Sequence, residues 1–482
     1  MRPRPWSFCS DEARPHGRLE PSRLPALHPL PDPGRRAGRR LLVWPRGGPL
    51  LLVCGLRLAG RDRRGAPRAF GRVRQGPDAV TPAVAGGPAP AQTRERGPVR
   101  VAVLGLGQAG LITLDKLLAR PDRYHVVAAV DPHDGARAKV ADSRVRLVPD
   151  LERLRTGEVE AVYVGSPTIE HEPQTEWALD RGLHVLVEKP LAHRAAAARA
   201  LARRAARTPS VAMVCHKRGV DPGIRAIASL LGQPGRPRAR LVSMLHVNDW
   251  VWRPRRPDEY DAEAGGGIVY RQGSHHFDML LAIMGSASVV DAHVLDLGVP
   301  THVDGAFTAT LVSEQDCLAT VVVSGYGGPA PTDPAAAHWP FGFALGGAAP
   351  AAAGAGAVGD KHELADRLRA AAALARRRPT PPRPFGMTLV QTDDTLLQTT
   401  EDGVLVHGRN GTQSIPVEAG EDGLDHLLET FFQAIRDGRA PTQDFRWGVR
   451  ILELCEDVYR HAKASARARS IAVVPPGAAC ER

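Results

Sequence analysis

Apolar runs and helical patterns alternate along the chain from Val99 onward. The run Val99–Leu104 is rich in β-branched residues, a helical pattern follows at residues 108–119, and a second apolar run occupies Tyr124–Val130. Further predicted strands and helices follow at residues 161–164, 172–181, 184–187, 192–206 and 210–215. Short buried runs that alternate with helices are typical of a doubly wound parallel sheet. The pattern therefore predicts one α/β domain over residues 98–217.

From Pro222 the pattern changes to longer strands in which apolar and polar residues alternate, as in antiparallel sheets with one open face. The predicted elements are a helix at 222–231, strands at 239–247, 289–295, 306–324, 387–391 and 403–407, and helices at 423–437 and 447–462. We expect residues 218–475 to form an α+β domain for substrate binding and oligomerisation, with a large, mostly antiparallel open sheet. A low-complexity insertion at 327–384, with one short helix at 361–377, interrupts it as a mobile insertion or lid.

Composition separates the first 96 residues from the rest. They hold 19 Arg, no Lys and 7 acidic residues, a net charge of +12, whereas the remaining 386 residues carry −1. Because this segment is rich in Pro, Arg and Gly and has no helical or strand period, we expect residues 1–96 to be a disordered tail. The folded body is not basic, so nucleic acid is not an expected partner.

The six cysteines are scattered singly, without pairs at metal-ligand spacing. We therefore expect no metal site, no disulfide framework and a reducing, cytoplasmic location. The most apolar stretch of the tail, residues 41–58, is interrupted by proline, arginine and glycine, so a membrane span is not predicted.

A glycine motif follows the first strand, with Gly105, Gly107 and Gly110 in G-x-G-x-x-G spacing between a strand and a helix. Such glycines let a pyrophosphate approach the backbone, and the helix N-terminus stabilises its charge. Asp131 ends the second strand about twenty residues later, where a carboxylate accepts the ribose hydroxyls and repels a 2′-phosphate. The sequence therefore predicts a Rossmann domain that binds NAD, with NADP less favoured.

Polar residues also follow the next two predicted strands, at the sheet edge where ligands bind. Ser166, Thr168 and His171 are expected to line the nicotinamide ribose, and Glu188 is assigned to the cofactor site with them. Lys189 is a candidate proton donor or acceptor, because partial burial lowers the pKa of a lysine. A solvated lysine at a strand end is the alternative.

A second candidate lies in the glycine-rich segment that opens a helix of the second domain. His275 and Asp278 are three residues apart in its first turn. A histidine oriented by a carboxylate is suited to moving the hydroxyl proton as hydride leaves carbon. The alternative is that His275 only forms a hydrogen bond across the domain interface.

An arginine-rich loop precedes this helix. Arg253 and Arg255, with Arg271 nearby in sequence, are candidates for binding an anionic substrate, since guanidinium groups match carboxylates bidentately. A solvated loop, or pairing of these charges with local Asp and Glu, is the alternative.

The segments Val103 to Gly110, Ser166-Pro167-Thr168 with His171, and His184 to Ala192 with its Glu-Lys-Pro step resemble the glucose–fructose oxidoreductase / inositol dehydrogenase (Gfo/Idh/MocA) family. The resemblance covers roughly residues 98–475 without the insertion. It implies a Rossmann domain, a second domain with an open sheet, use of NAD(P), and Lys189 and His275 placed at the substrate hydroxyl.

Sugar and inositol dehydrogenases of that family usually have aspartate where this chain has Arg271. The arginine–proline loop at residues 253–257 and the segment 265–273 are instead similar to the branch that contains phthalate 4,5-cis-dihydrodiol dehydrogenase. This resemblance implies oxidation of a cyclic vicinal diol that bears carboxylates. We also assign Asp278 to the substrate site with the arginines.

The functional expectation is an NAD-dependent dehydrogenase that oxidises a CH–OH group of a carboxylated cyclic diol, as a homodimer or homotetramer. Two alternatives stay open. One is a sugar or inositol dehydrogenase of the same family, and the other is a non-catalytic NAD-binding sensor.

Overall fold

The computed structural model describes residues 97–233, 238–253, 256–298, 302–327, 384–418 and 420–472. All of them belong to one compact unit, Pro88–Arg482. The predicted tail, nearly all of the insertion with its helix, and Arg255 lie outside the described residues.

The first half of the described chain forms a six-stranded, fully parallel sheet. Its strands are β1 Val99–Leu104, β2 Tyr124–Val130, β3 Arg146–Val148, β4 Ala161–Val164, β5 His184–Val187 and β6 Ala212–Val214. Its helices are α1 Gln108–Leu118, α2 Asp134–Arg137, α3 Thr168–Leu179 and α4 Ala195–Ala205. The strand order β3-β2-β1-β4-β5-β6 is that of a Rossmann sheet. The predicted doubly wound domain is confirmed.

The second sheet has eight strands. They are β7 Leu241–Val247, β8 Ser288–Leu295, β9 Ala306–Val312, β10 Leu318–Ser324, β11 Met387–Gln391, β12 Leu396–Thr400, β13 Gly403–Gly408 and β14 Gly411–Pro416. In the order β14-β13-β12-β11-β7-β10-β9-β8, the β7–β10 pair is parallel and the other pairs are antiparallel. The predicted large, mostly antiparallel sheet is confirmed.

The prediction of one strand over residues 306–324 is wrong, because the chain turns back between β9 and β10. Ser313 Oγ accepts hydrogen bonds from the backbone N–H groups of Gln315 and Cys317, and Asp316 has a φ of 59°. The two strands form an antiparallel hairpin. Side-chain hydrogen bonds of this kind compete with strand continuation, whereas apolar alternation alone does not reveal them.

Four more helices are α5 Pro222–Leu231, α6 Ser274–Met284, α7 Gly423–Asp437 and α8 Phe445–Ala472. Although α7 follows the second sheet in sequence, its apolar face packs on the Rossmann sheet in a cluster with residues of β1, β2 and α1. Lys116 of α1 and Arg120, just after this helix, form ion pairs with the buried carboxylate of Asp425. The chain therefore returns to the first domain after completing the second sheet. No helix within the described ranges has both the length and the apolar character needed to cross a membrane.

Candidate active site

The three glycines of the motif have different surroundings. Gly105 has a φ of 88°, and an added Cβ would lie 2.6 Å from the backbone nitrogen of Ser166. A Cβ on Gly110 would lie 1.9 Å from the carbonyl oxygen of Gly105, whereas one on Gly107 would meet nothing within 4 Å. Two glycines thus let β1, α1 and the turn after β4 approach each other, and Gly107 leaves space for a ligand.

Asp131 lies beside this glycine turn at the end of β2. Its Oδ2 accepts a hydrogen bond from the backbone N–H of Leu106 at 2.8 Å, and its Oδ1 accepts one from that of His133 at 2.9 Å. The N-terminus of α1 has no side-chain cap and no acidic residue in its first turn, so its N–H groups suit an anion. The open space at Gly107, this helix terminus and Asp131 fit a dinucleotide.

Ser166, Thr168 and His171 lie where β4 leads into α3, and the His171 ring contacts two turns at this edge of the sheet. Its ring is buried, with Nδ1 2.7 Å from the carbonyl oxygen of Pro190 and Nε2 3.0 Å from that of Ser166. The ring therefore joins the turn after β4 to the turn after β5. Burial lowers the pKa of His171, although both carbonyl oxygens favour the protonated ring. The contact of His171 with the nicotinamide ribose stays a prediction.

Glu188 is held at the end of β5. Its Oε2 accepts a hydrogen bond from the backbone N–H of Lys189 at 2.6 Å, and its Oε1 lies 3.4 Å from the hydroxyl of Tyr163. Burial raises the pKa of Tyr163, and the charge of Glu188 adds to that effect. The carboxylate therefore fixes the backbone from which the Lys189 side chain projects.

Lys189 and His275 come together from the two domains. Lys189 Nζ donates to the carbonyl oxygen of Arg271 at 3.1 Å. Arg271 belongs to the π-helical turn Val269–Gly273, which leads directly into α6 and its first-turn residue His275. Burial lowers the pKa of His275 well below its ordinary value, and the charges of Lys189, Arg218 and Lys217 lower it further. The ring is therefore neutral near pH 7.

Asp278 does not orient His275, so this part of the prediction is wrong. Its Oδ2 accepts a hydrogen bond from the backbone N–H of Gly219 at 2.5 Å, and its Oδ1 accepts one from Trp447 Nε1 at 2.9 Å. The side chain is fully buried, which raises its pKa to about 7. Asp278 thus ties α6 to α8 and to the segment after β6, and it does not face a substrate.

Asp278→Ala is expected to lower the free energy of unfolding by about 2–6 kcal/mol, because two buried N–H groups lose their acceptor at about 1–3 kcal/mol each. Trp447→Phe removes only one of these hydrogen bonds and should cost less. Urea unfolding of both variants measures the difference, with exposed Asp122→Ala as the control. A loss in Asp278→Ala no greater than in the control would contradict this role.

The arginines predicted to bind a carboxylate are already paired. Arg253 donates to Asp249, and Arg271 donates to the buried carboxylate of Glu259 at 2.7 Å. Arg255 lies outside the described residues. The structure therefore favours the alternative of internal pairing for Arg253 and Arg271.

Sequence reasoning missed the side chains that surround His275. Arg218 follows β6, and Phe385 lies just before β11. The Phe385 ring centroid is 4.9 Å from that of His275, 4.3 Å from His246 and 5.1 Å from His276. The only sequence signal was the run His216-Lys217-Arg218 at a strand end, and nothing local marked Phe385. Within the described ranges, no group of three or more His, Cys, Asp or Glu is arranged to hold a metal ion.

The chain has a Rossmann sheet with a dinucleotide turn, and its second, open-sheet domain contributes a histidine near Lys189. These features define the class of two-domain NAD(P)-binding oxidoreductase folds. Residues 99–216 match the oxidoreductase family with an NAD-binding Rossmann fold, GFO/IDH/MocA, and residues 232–332 match the GFO/IDH/MocA C-terminal domain. The chain belongs to the GFO/IDH/MocA family.

Individual relatives agree on the family and differ in substrate. The chain is 31% identical over 232 residues to a 1-carboxy-3-chloro-3,4-dihydroxycyclohexa-1,5-diene dehydrogenase of Comamonas testosteroni, covering 47% of this chain and 58% of that protein. It is 25% identical over 201 residues to an NADP-dependent scyllo-inositol 2-dehydrogenase of Bacillus subtilis, covering 41% and 55%. The chain thus spans little more than half the length of these curated relatives.

A solved structure from Bordetella bronchiseptica RB50, described as that of a dehydrogenase, shares the fold more completely. The TM-score is 0.64 at 26% identity, and the match covers 76% of this chain and 98% of that one. The name of the inositol enzyme specifies NADP, so membership of the family does not by itself select NAD.

Proposed function

We propose that this chain oxidises a CH–OH group of a cyclic diol that carries a carboxylate, with NAD as hydride acceptor. The observation that carries the proposal is the placement of cations around His275: Lys189 contacts the turn that leads to it, and Arg218 lies on the Phe385 ring that packs against it. The charges of Lys189, Arg218 and Lys217 all lower the pKa of the His275 ring. Three cations beside a buried neutral base suit an anionic substrate. The substrate class in the name of the Comamonas relative supports this assignment.

The two central side chains divide the proton chemistry. His275 accepts the proton of the reacting hydroxyl, and the Lys189 ammonium group donates a hydrogen bond that stabilises the developing alkoxide. The nicotinamide, when bound, takes the hydride from the same carbon, which leaves a ketone. With a cis-dihydroxycyclohexadiene, this ketone tautomerises to a catechol, and aromatisation favours product formation.

NAD is the proposed cofactor because of Asp131. Its carboxylate stands at the end of β2, against the glycine turn, where it would accept ribose hydroxyls and repel a 2′-phosphate. A preference of the enzyme for NADP would contradict this part of the proposal.

The decisive experiment follows NADH absorbance with the full chain and two matched substrates, a carboxylated cis-dihydroxycyclohexadiene and the same diol without the carboxylate. We expect turnover of the carboxylated diol with NAD. Turnover of neutral inositols or hexoses instead would favour the sugar or inositol dehydrogenase, which the inositol-specific relative supports. Cofactor binding without any turnover would favour a sensor.

The rate is expected to show no acid limb near pH 6.5. An ordinary histidine base would lose about half of its activity at pH 6.5 and about nine-tenths at pH 5.5. Because burial and three cations lower the pKa of His275, protonation requires a lower pH, so kcat/KM should keep more than half of its pH 8 value at pH 6. An apparent pKa of 6.5 or above on the acid side of the kcat/KM profile would contradict the assignment of His275 as the base.

We also propose that the chain forms a homodimer or homotetramer through the open face of the eight-stranded sheet. Leu241, Leu318 and Val322 are exposed on that face, and Leu318 is directly opposite Leu241 in the β7–β10 ladder. Exposed apolar rows of this kind favour association. Sedimentation velocity at micromolar concentration would contradict the proposal if only a monomer were seen.

A cytoplasmic location completes the proposal. The described cysteines Cys215, Cys317 and Cys455 are buried and unpaired, as thiols are in a reducing compartment. Recovery of the chain from the membrane or extracellular fraction of its source cells would contradict this location.

A further inference from the structure

The cluster around His275 contains an unusual concentration of buried polar atoms without partners. Six nitrogens have no hydrogen bond within the described part of the chain, and they belong to Arg218, His216, His246, His275 and His276. Buried polar groups in folded proteins are nearly always paired, so such a cluster has the capacity to bind water or a polar ligand. Since five of the six atoms are on histidines of lowered pKa, the permanent positive charge among them is that of Arg218.

Arg218 is held in a fixed orientation by two contacts. Its Nη1 donates to Asp221 at 2.8 Å, and its guanidinium carbon lies 4.5 Å from the centroid of the Phe385 ring. Its Nε is buried and has no partner in the described ranges. A guanidinium fixed in this way on an aromatic face, with an unused Nε–H, is prepared to bind a planar anion without further loss of side-chain freedom.

The position of Phe385 depends on the glycine that follows it. Gly386 has a φ of 79°, and an added Cβ would lie 2.7 Å from the carbonyl oxygen of Leu245 in β7. This close approach brings Phe385 against His246 and His275. The ring on which Arg218 stacks is therefore part of the cluster around His275.

We propose that Arg218, supported by Phe385, binds the carboxylate of the substrate and determines the specificity of the enzyme for carboxylated rings. This inference rests on the proposed function and assigns the anion-binding role to the segment after β6 in place of the arginine loop. Arg218 makes a charge-assisted hydrogen bond to the substrate, whereas Phe385 is a positioning residue that fixes the plane of the guanidinium.

The test compares Arg218→Met with Arg225→Met, a matched change at an exposed position of α5. Arg218→Met should raise KM for the carboxylated diol by about 10- to 100-fold, the loss of a charge-assisted hydrogen bond. KM for the diol without the carboxylate should change by less than about threefold. An Arg218→Met variant that raises both KM values equally, or neither, would overturn the inference.

A binding measurement separates this inference from the proposed activity. Calorimetric titration of the NAD-bound chain with benzoate is expected to show binding that Arg218→Met weakens by about tenfold or more and Arg225→Met leaves unchanged. That result supports the carboxylate site even if no diol is oxidised. Absence of benzoate binding to the unaltered chain overturns the site, while turnover of the carboxylated diol would still support the proposed function.

Melting temperature and NADH fluorescence verify that each variant folds. If Arg218→Met does not fold, Arg218→Lys takes its place in the test. This variant keeps the positive charge but removes the planar guanidinium group with its Nε–H. It should raise KM for the carboxylated diol selectively, by about tenfold. An unchanged ratio of the two KM values in Arg218→Lys would overturn the inference as well.

Discussion

Replacement of Lys189 by methionine is expected to lower kcat by about a thousandfold, within the range of about 10²–10⁴ for loss of a proton-transfer or alkoxide-stabilising group. Methionine keeps an unbranched apolar side chain but has no ammonium group to stabilise the alkoxide. The carbonyl oxygen of Arg271 accepts a hydrogen bond from the Lys189 ammonium group at 3.1 Å, and a methionine side chain cannot donate this bond.

Two measurements make this expectation specific. NADH binding, followed by fluorescence, should be nearly unchanged, since the glycine turn and Asp131 lie on other strands. Lys189→Arg keeps the charge but not the compact geometry of an ammonium group, and it should recover only part of the activity. A Lys189→Met variant that keeps more than about a tenth of kcat would show that Lys189 does not take part in the chemical step.

The second large effect concerns the glycine turn. Replacement of Gly110 by alanine should lower stability, whereas the same change at Gly107 should weaken cofactor binding. Gly110→Ala places a methyl group 1.9 Å from the carbonyl oxygen of Gly105. Although alanine is the better helix former by about 1 kcal/mol, this backbone overlap requires α1 to move away from β1. We expect a loss of about 3 kcal/mol or more in the free energy of unfolding.

Gly107→Ala is the matched control. Gly107 has a φ of −68°, which alanine adopts without strain, and its added methyl group meets no protein atom within 4 Å. The melting temperature should therefore be unchanged. The dissociation constant for NAD should rise about tenfold or more, because the methyl group occupies space that the pyrophosphate needs. Equal thermal stability of the two variants would contradict the packing role of Gly110.

The Rossmann half was predictable because its signals are local. The apolar runs, the glycine spacing and Asp131 lie within one stretch of chain, and the structure places them together at the carboxyl ends of β1 and β2. The interior of the second domain was less predictable. The turn at residues 313–317 is closed by backbone hydrogen bonds and by the Ser313 hydroxyl, and hydrophobic alternation does not show these contacts.

The site residues that were misassigned depend on contacts between distant parts of the chain. His275 and Asp278 are three residues apart on α6, yet the partners of Asp278 are Gly219 and Trp447, which are 59 and 169 residues away. Arg253 and Arg271, in contrast, have partners that are close to them in sequence. Their carboxylate partners, Asp249 and Glu259, lie within twelve residues along the chain, but charge counting does not show which local pairs form.

The described residues on either side of the inserted sequence, Gly327 and Phe385, both contact the end of β7 near His246. Before it, Gly327 donates its N–H to the carbonyl of Asn248 at 2.8 Å; after it, Phe385 packs on His246. Both anchors lie at the end of β7, outside the ladder hydrogen bonds that hold the sheet. A substitution at Phe385 would therefore alter the surroundings of His246 and His275 without removing a hydrogen bond of the β7 ladder.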